Sequence, residues 1–141
     1  YCRANRGGLG SRPMILLDTH IWIWLASDPE RISKIARKKI SGAKKKGISA
    51  ISCWEFATLV HKGRISVDRS PLEWMEQSFE ELGIELIPIT PSIAVRSTQL
   101  GRNFQGDPAD RLILATALVH SAPLVTKDER IRGFSGVETI W

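Results

Sequence analysis

Five short apolar runs, separated by helix-start punctuation, constrain this chain more than any other feature. They are Ile15 to Asp18, Gly47 to Ile51, Ile84 to Ile87, Leu124 to Thr126 and Val137 to Ile140. Each is short, partly β-branched and nearly continuous in its apolarity, the pattern of a strand buried on both faces. The intervening stretches carry helix signals. Thr19 to Ala26 is apolar nearly all round, which predicts a helix buried on several sides. Asp28-Pro29 and Ser33 precede a helix over Lys34 to Lys45. Ser52 stands three residues before Glu55, the spacing of a capping box, and predicts a helix running to about His61. Ser70-Pro71, Thr90-Pro91 and Asp107-Pro108 start three more, with a capping oxygen followed by proline in the first turn. The first of these ends before Gly83 and the second near Leu100. Strands alternating with helices predict an α/β fold whose parallel sheet is covered on both faces.

The chain has 141 residues, enough for one domain with a core of its own. Residues 14–141 are expected to form that domain. Tyr1 to Pro13 holds three arginines, three glycines and no apolar pattern, and reads as a tail or tag. Removing its three charges lowers the formal net charge from +5 to +2, too little to argue for nucleic-acid binding from charge alone. The local runs Arg37-Lys38-Lys39 and Lys44-Lys45-Lys46 fit either a solvated helix face or a rim that grips phosphate. The longest apolar runs, such as Ile21 to Ala26, fall far short of the roughly 20 residues that span a bilayer. No stretch has the build of a signal peptide, and Cys2 and Cys53 make no disulfide framework, so a cytoplasmic protein is expected.

In open parallel sheets, ligands bind beyond the carboxyl ends of the strands. Asp18, Glu55 and Asp128 fall at or just past those ends, and Asp110 sits in a helical first turn that can face the same crevice. Each has a plain alternative: Asp18 as a helix cap, Glu55 as half of its capping box, Asp110 as a favourable charge at a helix start, Asp128 as a loop residue. Jointly the four argue for more. Buried carboxylates are costly unless cations neutralise them. Mg²⁺ and Mn²⁺ prefer oxygen ligands, and one or two such ions support in-line displacement at phosphorus. Asp107 is expected mainly to cap its helix, with an outer role at the site open to it. Zinc is disfavoured because His20, His61 and His120 show no ligand spacing. His20 either touches substrate or packs against the sheet edge. Arg111 either grips substrate or forms a surface pair.

Other chemistries find no motif. The chain lacks a Walker-type loop, a GxGxxG after the first strand and a GxSxG elbow. A phosphatase using Asp18 as acceptor is expected to carry a second aspartate two positions on, where this chain has His20. The tryptophans suit either base stacking or packing. At least one of Trp22 and Trp24 is expected at an interface, because a helix apolar on every side has more surface than one sheet covers.

Four segments in this order resemble the PIN-domain ribonucleases, and more narrowly the VapC-type toxins of toxin–antitoxin pairs. They are Leu16-Leu17-Asp18-Thr19-His20 with Trp22 to Leu25; Ser49 to Leu59 around Trp54-Glu55; Gly106-Asp107-Pro108-Ala109-Asp110-Arg111 with Leu112 to Ala117; and Leu124-Val125-Thr126-Lys127-Asp128-Glu129-Arg130-Ile131. The resemblance covers Met14 to Trp141. It implies a three-layer α/β/α sandwich around about five parallel strands. It maps the family's metal-binding acids onto Asp18, Glu55, Asp110 and Asp128, with Thr126 near the last of them. It further implies Mg²⁺- or Mn²⁺-dependent cleavage of RNA, a homodimer, and silencing by a VapB-type antitoxin that enters the active-site groove. The alternatives are an RNA-binding or regulatory module without turnover, a small-substrate phosphohydrolase, and cleavage of DNA.

Overall fold

Strand β1, Ile15–Leu17, lies at the centre of a five-stranded, all-parallel sheet of order β3-β2-β1-β4-β5. β2 is Lys46–Ser49, β3 Ile84–Ile87, β4 Leu124–Val125 and β5 Thr139–Ile140. The computed structural model describes residues 14–102 and 104–141, so the reading of residues 1–13 as a tail lies outside the described residues. All three residues of β1 are buried, as expected of a strand covered on both faces. Ile15 and Leu17 point into one core with Trp22, Phe56, Trp74 and Val125, while Leu16 points into the other with Ile113, Leu114, Leu124 and Ile131. That alternation is the period-two geometry of a strand, and it makes the molecule three layers deep.

Among the described residues seven α-helices supply the outer layers: α1 (Thr19–Ser27), α2 (Lys34–Gly42), α3 (Ala50–His61), α4 (Pro71–Leu82), α5 (Pro91–Ser97), α6 (Pro108–His120) and α7 (Glu129–Arg132). The expected starts of α4, α5 and α6 are present. Ser70 and Glu73 form a reciprocal capping box, Thr90 accepts from the Ile93 N–H, and Asp107 accepts from the Asp110 N–H. Gly83 ends α4 at φ 65°, a left-handed conformation open to glycine at little cost. None of these helices is long and apolar enough to cross a membrane among the described residues.

The structure corrects the start of α3. β2 ends at Ser49 rather than Ile51, and it is Ser49 that caps the helix, accepting from the Ile51 N–H at 3.2 Å. Ser52 lies inside the helix and is fully buried, so Glu55 does not close a capping box with it. α2 ends at Gly42 because Ala43 turns extended, leaving Lys44 and Lys45 to lead into β2. Those lysines lie at the amino end of a parallel strand, opposite the carboxyl edge, and cannot form a rim around a site there. α1 is enclosed on the side that carries Ile21 and Trp22, while Ile23, Trp24 and Leu25 remain partly exposed. The Trp22 indole is 0% exposed, packs against Phe56, Trp74 and Phe79, and donates to Ser78 Oγ at 2.9 Å. Trp22 is therefore core, not interface.

Candidate active site

The strand order reverses direction beside β1, since β2 lies on one side and β4 on the other. Crevices open at such switch points, outside the carboxyl ends of the strands. Here Asp18 follows β1 and Asp128 follows β4. α3 brings Glu55 to the same crevice and α6 brings Asp110. All four line one cavity of about 240 Å³, together with Thr19, His20, Asp107 and Arg130. The sheet register sets Leu17 opposite Val125, which fixes how the residues after the two strands face each other.

Each acid is oriented by its local structure. Asp18 is 4% exposed and caps α1, its Oδ1 accepting from the Thr19 N–H at 2.7 Å. Its Oδ2 accepts from the Thr126 hydroxyl at 2.6 Å, and that same hydroxyl oxygen accepts from the Asp128 N–H at 3.0 Å. Thr126 thus ties the acid after β1 to the acid after β4. Asp128 is a cap rather than a loose loop residue, accepting from the N–H groups of Arg130 and Ile131. Glu55 accepts from the Thr19 hydroxyl, which also lies 2.7 Å from Ser52 Oγ. Gly106 precedes Asp107 at a point where a Cβ would run into the Phe104 ring and stand 2.9 Å from the Asp110 Cβ. Only glycine lets that loop pass so close to the acid.

Electrostatics marks the cavity as short of positive charge. Asp110 is pushed up to about 7, first by burial and then by Asp107, Asp18, Asp128 and Glu55. Burial also raises Asp18, against the opposing pull of His20 and the hydrogen bonds from Thr126 and Thr19. Glu55 rises by burial too, opposed by its bond from Thr19. Arg130 supplies the nearest cation, its guanidinium 3.4 Å from Asp110 Oδ2 and 3.7 Å from Asp128 Oδ2. With 56% of its side chain exposed, this arginine is a weak partner for the carboxylates.

His20 stands between the cavity and the helix that carries it. It lines the cavity with Nδ1 3.6 Å from Asp18 Oδ2, while Nε2 accepts from the Lys127 N–H at 3.3 Å and the ring meets Trp24 edge-on. Arg111 turns away from the acids, donating to the Phe104 carbonyl at 3.0 Å and lying over its ring. Thr19, Ser52 and Arg130 were not expected at the site from sequence. For Arg130 the sequence carried no signal, since the four-residue α7 that returns its side chain over the acids is too short to show an apolar period.

The donor set is mostly oxygen from carboxylates and hydroxyls, with one imidazole and no thiol, which suits a hard divalent ion rather than zinc. Among the described residues, no three aspartate, glutamate, histidine or cysteine side chains stand as direct ligands around one point. A hydrated Mg²⁺ asks for no such cage, since it keeps several waters and binds through one or two carboxylates.

A family model described as the PIN domain matches residues 15–137. Ribonuclease VapC22 of Mycobacterium tuberculosis is 42% identical over 118 residues, covering 84% of this chain and 89% of that protein. A toxin–antitoxin complex from Klebsiella pneumoniae is similar at a TM-score of 0.62 and 26% identity, over 87% of this chain and 94% of the other. VapBC2 of Rickettsia felis, bound to a DNA fragment from its promoter, shares the fold at a TM-score of 0.67 and 15% identity, over 89% and 96% of the two chains. Sheet order, acid-lined crevice and sequence therefore agree, and the chain belongs to the PIN-domain family, among its VapC-type members.

Proposed function

We infer that this protein is an endoribonuclease of the VapC type, the toxin of a toxin–antitoxin pair, and that its cavity binds Mg²⁺ or Mn²⁺. The observation that supports the metal is the convergence of Asp18, Glu55, Asp110 and Asp128 on one small cavity with a single exposed arginine against them. The 42% identity to Ribonuclease VapC22 supports RNA as the substrate.

Asp18, Glu55, Asp110 and Asp128 would hold the ion, with Asp18 and Asp110 the most buried of the four. When bound, such an ion supplies water activation and neutralises charge building on the phosphate. The chain's own residues do the positioning. Thr126 holds Asp18 and Asp128 at a fixed separation, and Thr19 holds Glu55 across from Asp18. Asp107 fixes the first turn of α6 and so the direction of Asp110. Arg130 balances part of the negative charge before substrate arrives and faces the phosphate once RNA enters.

A VapB-type antitoxin as partner is supported by the toxin–antitoxin complexes among the similar structures. Homodimer formation and a cytoplasmic location belong to the same reading. Exposed Trp54, Val95 and Val119 offer apolar surface for protein contacts of either kind.

The decisive experiment incubates purified protein with a panel of single-stranded RNAs and Mn²⁺, with and without chelator, beside Asp18→Asn. Cleavage that needs the ion and disappears in the variant is expected. Folded wild-type protein that binds RNA but never cuts it would favour the non-catalytic alternative. Equal cleavage by pure Asp18→Asn would end the assignment.

A further inference from the structure

A second cavity, of about 440 Å³, adjoins the acid-lined one, and the two share Arg130 as a common wall. The larger volume lies within the range of about 300–1,000 Å³ that takes small organic ligands, whereas the acid cavity falls below it. Phe104 and Phe134 form an aromatic corner of this second cavity, their rings 6.0 Å apart and nearly perpendicular. Phe104 is buried, while Phe134 remains part-exposed and presents ring surface. Gln105, Glu129 and Ser135 add hydrogen-bonding groups.

We propose that this cavity is the subsite for one unpaired nucleobase of the RNA, next to the phosphate that is cut. The proposal rests on the ribonuclease reading and adds to it the place where base identity is sensed. Three features select a base over other parts of the polymer. Glu129 repels a phosphate but accepts hydrogen bonds from the amino and ring N–H groups of a base. The part-exposed Phe134 ring offers a stacking surface, and base–aromatic stacking is the common device for holding unpaired nucleotides. The shared Arg130 wall sets the distance: a nucleotide whose backbone passes the acids at Arg130 has its base directed to the neighbouring cavity.

The test measures kcat/KM with Mn²⁺ for short RNAs that differ in one base on either side of the cut. Wild type is compared with Glu129→Gln, which removes the carboxylate, Gln105→Ala, which removes the amide, and Ser135→Trp, which fills the cavity from its exposed side. Thermal unfolding of each variant shows that it is folded. At one position beside the cut, the ratio between the best and worst base is expected to change by about tenfold or more, with other positions unaffected. A wild-type enzyme indifferent to base there would overturn the subsite and leave the ribonuclease reading standing. So would folded variants that keep the wild-type preference or lose rate equally for all bases. If wild-type protein cuts no RNA, both readings fall together.

Discussion

Glu55 and Phe56 are chain neighbours on α3, yet they belong to regions built on opposite principles. Phe56 enters an aromatic core with Trp22, Trp74 and Phe79, where every ring is packed and the one indole N–H that faces inward has its partner in Ser78. Glu55 enters a cavity where acids raise one another and one exposed arginine opposes them. α1 shows the same division, with Thr19 at the cavity and Trp22 in the core. Dry packing in one region holds the other in a state that no group of side chains would choose alone. The two regions should therefore respond to mutation in opposite ways.

The largest contrast is expected from Asp110→Asn. It should lower RNA cleavage to background, while the melting temperature near pH 7.5 in chelator stays level or rises by a few degrees, because one source of repulsion is gone. A clear fall in melting temperature would show that Asp110 supports the fold, and the contrast would break. Trp22→Ala should do the reverse. Urea denaturation should report a loss of about 3–5 kcal/mol, while the molecules that remain folded keep their Mn²⁺ requirement.

Thr126→Val sharpens the comparison, because Thr126 is buried like the core but serves the cavity. Losing its hydroxyl should cost about 10–100-fold in metal affinity or activity. The Asp128 N–H left without its acceptor should cost about 1–3 kcal/mol. If stability falls and metal affinity does not, Thr126 belongs to the core alone.

The smallest effect is on pH dependence without divalent ions. The Asp110 carboxyl titrates near 7 in the folded chain against an ordinary value of 3.8. Between those values the folded state binds more protons than the unfolded one, so stability should fall as pH rises through that window. Asp18 and Glu55 shift in the same direction. Added Mg²⁺ should raise the melting temperature more at about pH 8 than at about pH 5, where protons compete for the carboxylates. Equal shifts at both would argue against the acids as the binding site.

Much of this contrast was legible in the sequence, for a physical reason. Asp18 and Asp128 follow buried apolar strands, so the strand pattern that predicted the sheet also placed the acids at its carboxyl edge. Asp110 came with a cap-and-proline signal that sets the helix start within a residue. Ser49 and Ser52 look alike to local capping rules, and only tertiary burial decides that Ser49 caps while Ser52 faces Thr19. Helix α7 has four residues, too few for any apolar period to register, so the return of Arg130 over Asp128 and Asp110 was invisible. The lysines before β2 left a rim open as one of two readings because a charge run carries no information about which end of a strand it occupies.

Crowding of negative charge around Asp110 also shapes how cells would escape such a protein. Under selection, many survivors carry damaged chains that proteases clear. Here a neutralised acid is expected to silence the activity and relax the fold together, so survivors altered at that position should accumulate intact polypeptide. Such a chain keeps its outer surfaces, and it would go on occupying whatever neutralising partner the cell makes.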